Sequence, residues 1–364
     1  MGNNQVYNFG AGPAMLPIPV MQQIQEEFLD YRGMGVSVIE ISHRSKEFDE
    51  VINRCDELIK ELSGLPDNYR ILYTHGGARM QFSAVPMNLL PLKPANKAVY
   101  SETGNFSKQA NVEALRYGNI IVASSGEDCN YNKLPPLTRD MVPDDASYAY
   151  ITSNNTIYGT QYKNYPELGD IPLVVDATSD IFSRPLDFSG IGVIFASMQK
   201  NLGPAGTALT IVREDLIGHA MALTPSLLDY AVYEKSHSLA NTNNTFAIYT
   251  TCLVMEWLKK GGGLDAMAKM NATKANTLYQ LMDNSDFYSG TADVGDRSYM
   301  NVTFKLPNEE LTQRFLGEAL KNGLYALKGH RVVGGIRASI YNAMPLAGCQ
   351  ALAAFMQEFE RTHG

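Results

Sequence analysis

Apolar residues follow two rhythms along this chain. Short runs rich in β-branched and aromatic residues recur at 70–74, 98–101, 120–123, 148–152, 172–176, 192–196 and 208–212. Each run is bounded by turn-forming or polar residues and is too short for a buried helix, so each reads as a buried strand. Helix-like spacing fills 80–90 and 108–117 between them, and 246–260 after them. Buried strands alternating with helices predict a mostly parallel, seven-stranded sheet flanked by helices. The helix over 246–260 runs into Gly261-Gly262-Gly263, a strong stop signal. Beyond it the pattern predicts helices over 264–283 and 307–322. A strand over 299–305 alternates Tyr, Asn, Thr and Lys with Met, Val and Phe. A last helix over 345–361 places Leu346, Cys349, Leu352, Phe355, Met356 and Phe359 on one face. The expected architecture is therefore α/β, with a large domain over 16–262 and a smaller α+β domain over 263–364. The Gly- and Pro-rich residues 1–15 cross the junction and are counted with the small domain.

Length agrees with two domains, since 364 residues exceed what one core usually serves. With 45% hydrophobic and 19% charged residues the chain is globular in composition. A net charge of −8 argues against holding nucleic acid by general attraction, so an anionic ligand must meet a local basic site. The four cysteines lie far apart with no C-x-x-C pair, which predicts neither a metal site nor a redox dithiol and fits a reducing compartment. Neither a secretion signal nor an apolar stretch of about 18 residues is present, so the expected location is cytoplasmic with no membrane span.

Two apolar strands stop abruptly beside an ionisable residue: 172–176 at Asp176, and 192–196 shortly before Lys200. Ligands of open α/β sheets bind at the carboxyl ends of strands, so both side chains are expected in one crevice. Pyridoxal phosphate needs such a pair, a lysine for its Schiff base and an acid to keep its pyridine nitrogen protonated. A solvated strand-end lysine and a helix-capping aspartate would leave the same pattern. His75-Gly76-Gly77-Ala78-Arg79 forms a strand–glycine turn–helix start that could close around a phosphate, although such turns are also common as plain structure. It matches neither the dinucleotide nor the nucleoside-triphosphate glycine motif. His43-Arg44 near the start of the chain, and His330, Arg331 and Arg337 near its end, supply basic groups able to hold carboxylate and phosphate, or simply to pair with surface acids.

Five blocks together resemble the phosphoserine aminotransferase family: NFGAGPAMLP at 8–17, ISHRSKEF at 41–48, HGGARMQF at 75–82, SMQKN at 197–201 and GHRVVGGIRASIYN at 329–342. The resemblance implies a class V, pyridoxal-phosphate-dependent transaminase of the aspartate-aminotransferase fold type (fold type I). Such enzymes are homodimers that exchange an amino group between L-glutamate and 3-phosphohydroxypyruvate in L-serine biosynthesis. Bacterial members often also act in pyridoxine biosynthesis, on 4-phosphohydroxy-L-threonine. Carried over by position, it makes Lys200 the Schiff-base lysine and Asp176 the partner of the pyridine nitrogen. Thr156 would hydrogen-bond the cofactor near its ring, and Ala78, Arg79 and Gln199 would hold its phosphate. Asn241 and Thr242 would reach the other subunit's site. His43, Arg44, His330, Arg331 and Arg337 match substrate-binding positions. Phe106 stands where many members stack a tryptophan on the ring, which keeps an apolar face and loses the indole N–H.

Overall fold

The structure, a computed structural model, describes residues 6–364, so residues 1–5 of the expected small-domain segment lie outside it. Its central sheet contains β1 (Tyr69–His75), β2 (Lys97–Glu102), β3 (Asn119–Ser125), β4 (Ala146–Thr152), β5 (Leu173–Asp176), β6 (Ile191–Ser197) and β7 (Thr207–Arg213). They lie side by side in the order β1-β7-β6-β5-β4-β2-β3. The pairs β2/β3, β2/β4, β4/β5 and β5/β6 are parallel, whereas β7 runs antiparallel to both β1 and β6. All seven apolar runs of the sequence are strands of this one mostly parallel sheet.

Its helices are α1 (Ile18–Glu27), α2 (Lys46–Ser63), α3 (Gly77–Leu89), α4 (Asn105–Ala114), α5 (Tyr230–Lys235), α6 (Thr245–Lys260), α7 (Gly263–Asp283), α8 (Glu309–Lys321) and α9 (Leu346–His363). Successive residues of a strand face opposite sides, and here both sides are covered. Val175, Ile194 and Leu209 pack against Ile52 and Leu58 of α2 and Val254 of α6. On the other side Val174, Val193 and Phe195 meet Phe82 and Val85 of α3 and Tyr230 of α5. Double coverage explains why these strands read as continuous apolar runs.

A separate core joins Leu278 of α7, Phe315 of α8 and Leu352, Met356 and Phe359 of α9 to Val302, Phe304 and Ala338 of a small antiparallel sheet. That sheet consists of Ser289–Gly290, Asn301–Lys305 and Ile336–Ser339. Phe9 is buried in the same core, and Tyr7–Asn8 pairs in parallel with Leu324–Tyr325.

Several elements differ from expectation. α3 and α4 begin at Gly77 and Asn105, ahead of the expected 80 and 108. Gly76, at φ +80°, makes the turn into α3, and the Ser107 hydroxyl accepts from the Thr103 and Gly104 N–H groups ahead of α4. α1, α2 and the strand Ile336–Ser339 were not anticipated. α2 is opened by Ser45, whose hydroxyl accepts from Phe48 N–H at 3.3 Å, and closed by Gly64 at φ +62°. No helix among the described residues is long and apolar enough to cross a membrane.

Phe304 is fully buried, edge-on to Tyr288 and Phe315 at 5.5 and 6.0 Å between ring centres. Phe304→Ala is expected to destabilise the small-sheet core by ~3–5 kcal/mol, read as an earlier unfolding transition in denaturant.

Candidate active site

Asp176 is the last residue of β5, aligned with Thr152 at the end of β4. Lys200 follows the end of β6 at Ser197, after one turn of chain. Both side chains are buried, and both line a cavity of about 210 Å³ at the carboxyl ends of the parallel strands. Ala78, Arg79, Phe106, Thr156 and Gln199 line the same cavity.

The Lys200 amine donates to Thr156 Oγ1 at 2.6 Å and lies 5.5 Å from the centre of the Phe106 ring. Burial pushes its pKa down to about 8; Asp176 and Asp180 pull it back up, while the positive charge of Arg337 adds to the fall. Burial has the opposite effect on Asp176, raising its pKa. Hydrogen bonds from Thr178, including its N–H to Oδ1 at 3.0 Å, and the charge of Lys200 hold that rise back. Tyr150 donates its hydroxyl to Oδ2 from below at 3.4 Å.

One wall is the start of α3. Gly76 and Gly77 take φ of +80° and +65°, left-handed values that favour glycine. A Cβ on Gly77 would stand 2.5 Å from Ser197 Oγ, so side-chain absence here is also steric. The turn aims the positive end of the helix dipole at the cavity, with Arg79 exposed at the rim and hydrogen-bonded to Gln109. Gln199 Oε1 is buried without a hydrogen-bond partner among the described residues. A buried amine, a buried carboxylate and an anion-seeking helix end around one cavity fit the aldehyde, the ring nitrogen and the phosphate of pyridoxal phosphate, and a rotated Gln199 amide would offer the phosphate its N–H groups. No cysteine lines the cavity among the described residues. Cys349 is buried on the inner face of α9, its thiol pushed up to about 12 by burial.

The N-terminal segment packs against Lys200 and Gln199. A Cβ at Gly12 would lie 3.5 Å from Lys200 Cγ, and Ala14 N–H donates to the Gln199 carbonyl at 2.8 Å.

Other expected site residues are placed elsewhere in the chain. Arg44 donates from Nε to His43 Nε2 at 3.2 Å, just ahead of α2 and outside the cavity lining. His330 and Arg331 sit in a turn outside the lining, where burial and the charges of Arg337 and Arg331 lower the His330 pKa. Arg337 is half-buried and close enough for its charge to act on Lys200. Asn241 Oδ1 lies 3.0 Å from His75 Nε2, behind the glycine turn, and Thr242 is exposed. The sequence reading passed over Thr152, Tyr150, Thr178 and Ser197. Their signal was position: each ends a strand of the sheet or lies within two residues of a strand end.

A family model described as aminotransferase class-V matches residues 6–352, a span that includes both the cavity and the small sheet. The phosphoserine aminotransferase of Desulfatibacillum aliphaticivorans is 50% identical over 364 residues, 99% of each chain. Among solved structures, the phosphoserine aminotransferase from Bacillus circulans subsp. alkalophilus is 43% identical with a TM-score of 0.96 over 100% of both chains. The PLP-bound phosphoserine aminotransferase from Trichomonas vaginalis is 33% identical with a TM-score of 0.89, covering 97% of this chain and 100% of that one. Full-length similarity at this level, on a sheet whose strand ends carry a buried lysine and aspartate, places the chain in the class-V aminotransferases, within the phosphoserine aminotransferase family.

Proposed function

We propose that the cavity holds pyridoxal 5'-phosphate and that the protein transfers the amino group of L-glutamate to 3-phosphohydroxypyruvate, giving O-phospho-L-serine and 2-oxoglutarate. The observation that carries this reading is the joint burial of Lys200 and Asp176 against one cavity beside the N-terminus of α3. Ala78, Arg79 and Gln199 would hold the cofactor's phosphate, Phe106 and Thr156 its ring, Asp176 its ring nitrogen, and Lys200 its aldehyde group. When bound, the cofactor supplies an electron sink for the substrate's Cα.

The chain's own residues then divide the work. Asp176, ionised, keeps a proton on the ring nitrogen. Lys200 Nζ, brought by burial to a pKa of about 8, reaches its neutral form far more readily than an exposed lysine, and so can take the Cα proton and return it. Arg337, Arg331, His330, Arg44 and His43 bind the substrate's carboxylate and phosphate. Support for a homodimer comes from the resemblance and from the placement of Asn241 and Thr242 away from their own chain's cavity, where a second copy's site can receive them. The division into 16–262 and 1–15 with 263–364 draws support from the largely separate cores of the described residues, with Leu264 and Met267 at the start of α7 packing into the larger one. Four free cysteines support a cytoplasmic location.

Lys200→Ala is expected to abolish both turnover and the visible absorption of the bound cofactor; turnover that survives overturns the reading. Asp176→Asn should cost about 10²-fold or more in kcat while leaving the thermal midpoint near that of the parent. In the parent protein the visible band should shift on adding glutamate and return on adding 3-phosphohydroxypyruvate.

The printed pKa also fixes a direction in pH. Protonated Lys200 is no base, so kcat should fall as pH drops through about 8, read from a kcat–pH profile. Gly77→Ala, which forces a Cβ against Ser197, should weaken cofactor retention at least tenfold in an equilibrium fluorescence titration, a loss of about 1.4 kcal/mol.

A further inference from the structure

β1 stands at one edge of the large sheet, so the outward backbone groups near its end meet no neighbouring strand. Side chains take that place. Tyr73 donates its N–H to Ser238 Oγ at 3.0 Å, its carbonyl accepts from Asn243 Nδ2 at 2.8 Å, and His75 donates its N–H to the Tyr233 hydroxyl at 3.3 Å. Ser238 and Asn243 are buried, and Asn243 Nδ2 also donates to the Ser238 carbonyl at 2.8 Å. The loop between α5 and α6 is thus pinned to β1 at 238 and 243, with Ala240 and Thr242 exposed between the pins.

Between these pins the Asn241 side chain is tied back to the sheet. Its Oδ1 lies 3.0 Å from Nε2 of His75, the last residue of β1 and the one that leads into Gly76 and Gly77. The polarity of this contact decides what Asn241 offers outward. A side-chain amide carries an acceptor oxygen on one side and two N–H donors on the other. With Oδ1 turned to His75, Nε2 must carry a hydrogen, because a bare ring nitrogen would set two acceptors against each other. The amide nitrogen then faces away from His75, where the Thr242 carbonyl lies at 3.5 Å, the far limit of a hydrogen bond. Its N–H groups are left to donate to an anion. A flipped amide would present its oxygen there and repel one.

We infer that His75 is a positioning residue for the partner subunit's cofactor phosphate: by donating from Nε2 to Asn241 Oδ1, it keeps the Asn241 N–H groups turned outward. The inference rests on the proposed dimer in which Asn241 reaches the other subunit's site. Because His75 also leads into its own chain's glycine turn, the two subunits must be tested apart. A positioning role acts on the partner's site, whereas a merely structural role acts on the site of the chain that carries His75.

Dimers assembled from two differently tagged chains separate these cases. Lys200→Ala on one chain confines the Schiff base to the other, so the first chain donates its Asn241 to the only site that can form one. Borohydride reduction at a series of pyridoxal phosphate concentrations, followed by mass spectrometry of the Lys200 peptide, gives the half-saturation of that single site without reference to turnover.

His75→Phe keeps a ring and removes the donor. On the Asn241-donating chain it should raise the half-saturation about threefold to tenfold. On the chain that bears Lys200 it should leave that value unchanged. His75→Gln on the donating chain, which restores an N–H, should recover most of the loss. Asn241→Ala on the donating chain should raise the half-saturation at least as much as His75→Phe, and adding His75→Phe to it should add nothing, because His75 acts through Asn241. Weakening by Asn241→Ala without weakening by His75→Phe overturns the inference alone, as does an effect confined to the chain that bears Lys200, a His75→Gln variant as weak as His75→Phe, or additive losses in the double variant. An unchanged site with Asn241→Ala on the donating chain overturns the dimer reading of Asn241, and the inference with it.

Discussion

Burying an amine and a carboxylate at the ends of neighbouring strands pushes both toward their neutral forms, and the active site works only if this push is held in check. Desolvation lowers Lys200 and raises Asp176. Their mutual attraction opposes both shifts, but they form no direct ion pair at 4.0 Å or less, and at an effective dielectric of about 20 attraction over a longer gap falls below ~4 kcal/mol. Local hydrogen bonds supply the rest. Thr178 donates its backbone N–H to Asp176, and Thr156 accepts from Lys200. These bonds hold Asp176 back from its neutral form while the amine stays within reach of neutrality, the division of states that the proposed proton transfer would use.

That requirement reaches into the fold. A parallel sheet covered on both faces brings several strand ends to one edge while keeping water from the core beneath them. Around this edge the rest of the chain is fastened by polar contacts. Gly12 and Ala14 pass over Lys200 and Gln199, and Asn342 reaches Asn201 from the small-sheet side. Asn154 donates to Asn301 at 2.8 Å, joining the loop that carries Thr156 to the small sheet. Buried polar bonds are directional, so a shift between the parts would leave several groups unpaired. The small sheet therefore comes to the cavity in a fixed register, with Arg337 alongside.

The strands were legible because doubly covered strands must be apolar throughout, and the two central side chains were legible because each interrupts or closely follows such a run. Strand direction was not: β7 reads like its neighbours, and only pairing reveals it as antiparallel. α2 is less plain in the sequence because its buried apolar residues, Phe48, Val51, Ile52, Cys55, Leu58 and Ile59, are outnumbered by charged ones, directly after the motif that holds His43 and Arg44. The strand Ile336–Ser339 is only four residues long and follows directly on Gly334-Gly335, so no apolar run marks it. At the site, Lys200 and Asp176 announce themselves by charge at a strand end. Thr178, Ser197 and Tyr150 carry side chains found in every kind of structure, and only three-dimensional convergence separates them from the rest. The loops bearing His43, Arg44, Asn241 and Thr242 follow no periodic pattern, so their destination was never written in hydrophobicity.

The chain carries a net charge of −8, and the cations lining its cavity among the described residues are Arg79 and Lys200. Under the proposed assignment, one is taken by the cofactor phosphate and the other by the cofactor itself. A substrate bearing both a phosphate and a carboxylate then meets, from the same chain, chiefly Arg337, which is too little to offset a surface of acidic sign. Under the same proposal the further cations are Arg44 and Arg331 with their histidines, on loops that do not line this cavity. Arg44 is exposed and, among the described residues, forms no ion pair, so no local acid has to be displaced for it to bind an anion. Under that proposal an acidic protein can bind a strongly anionic substrate because such basic groups are not spent on surface pairing.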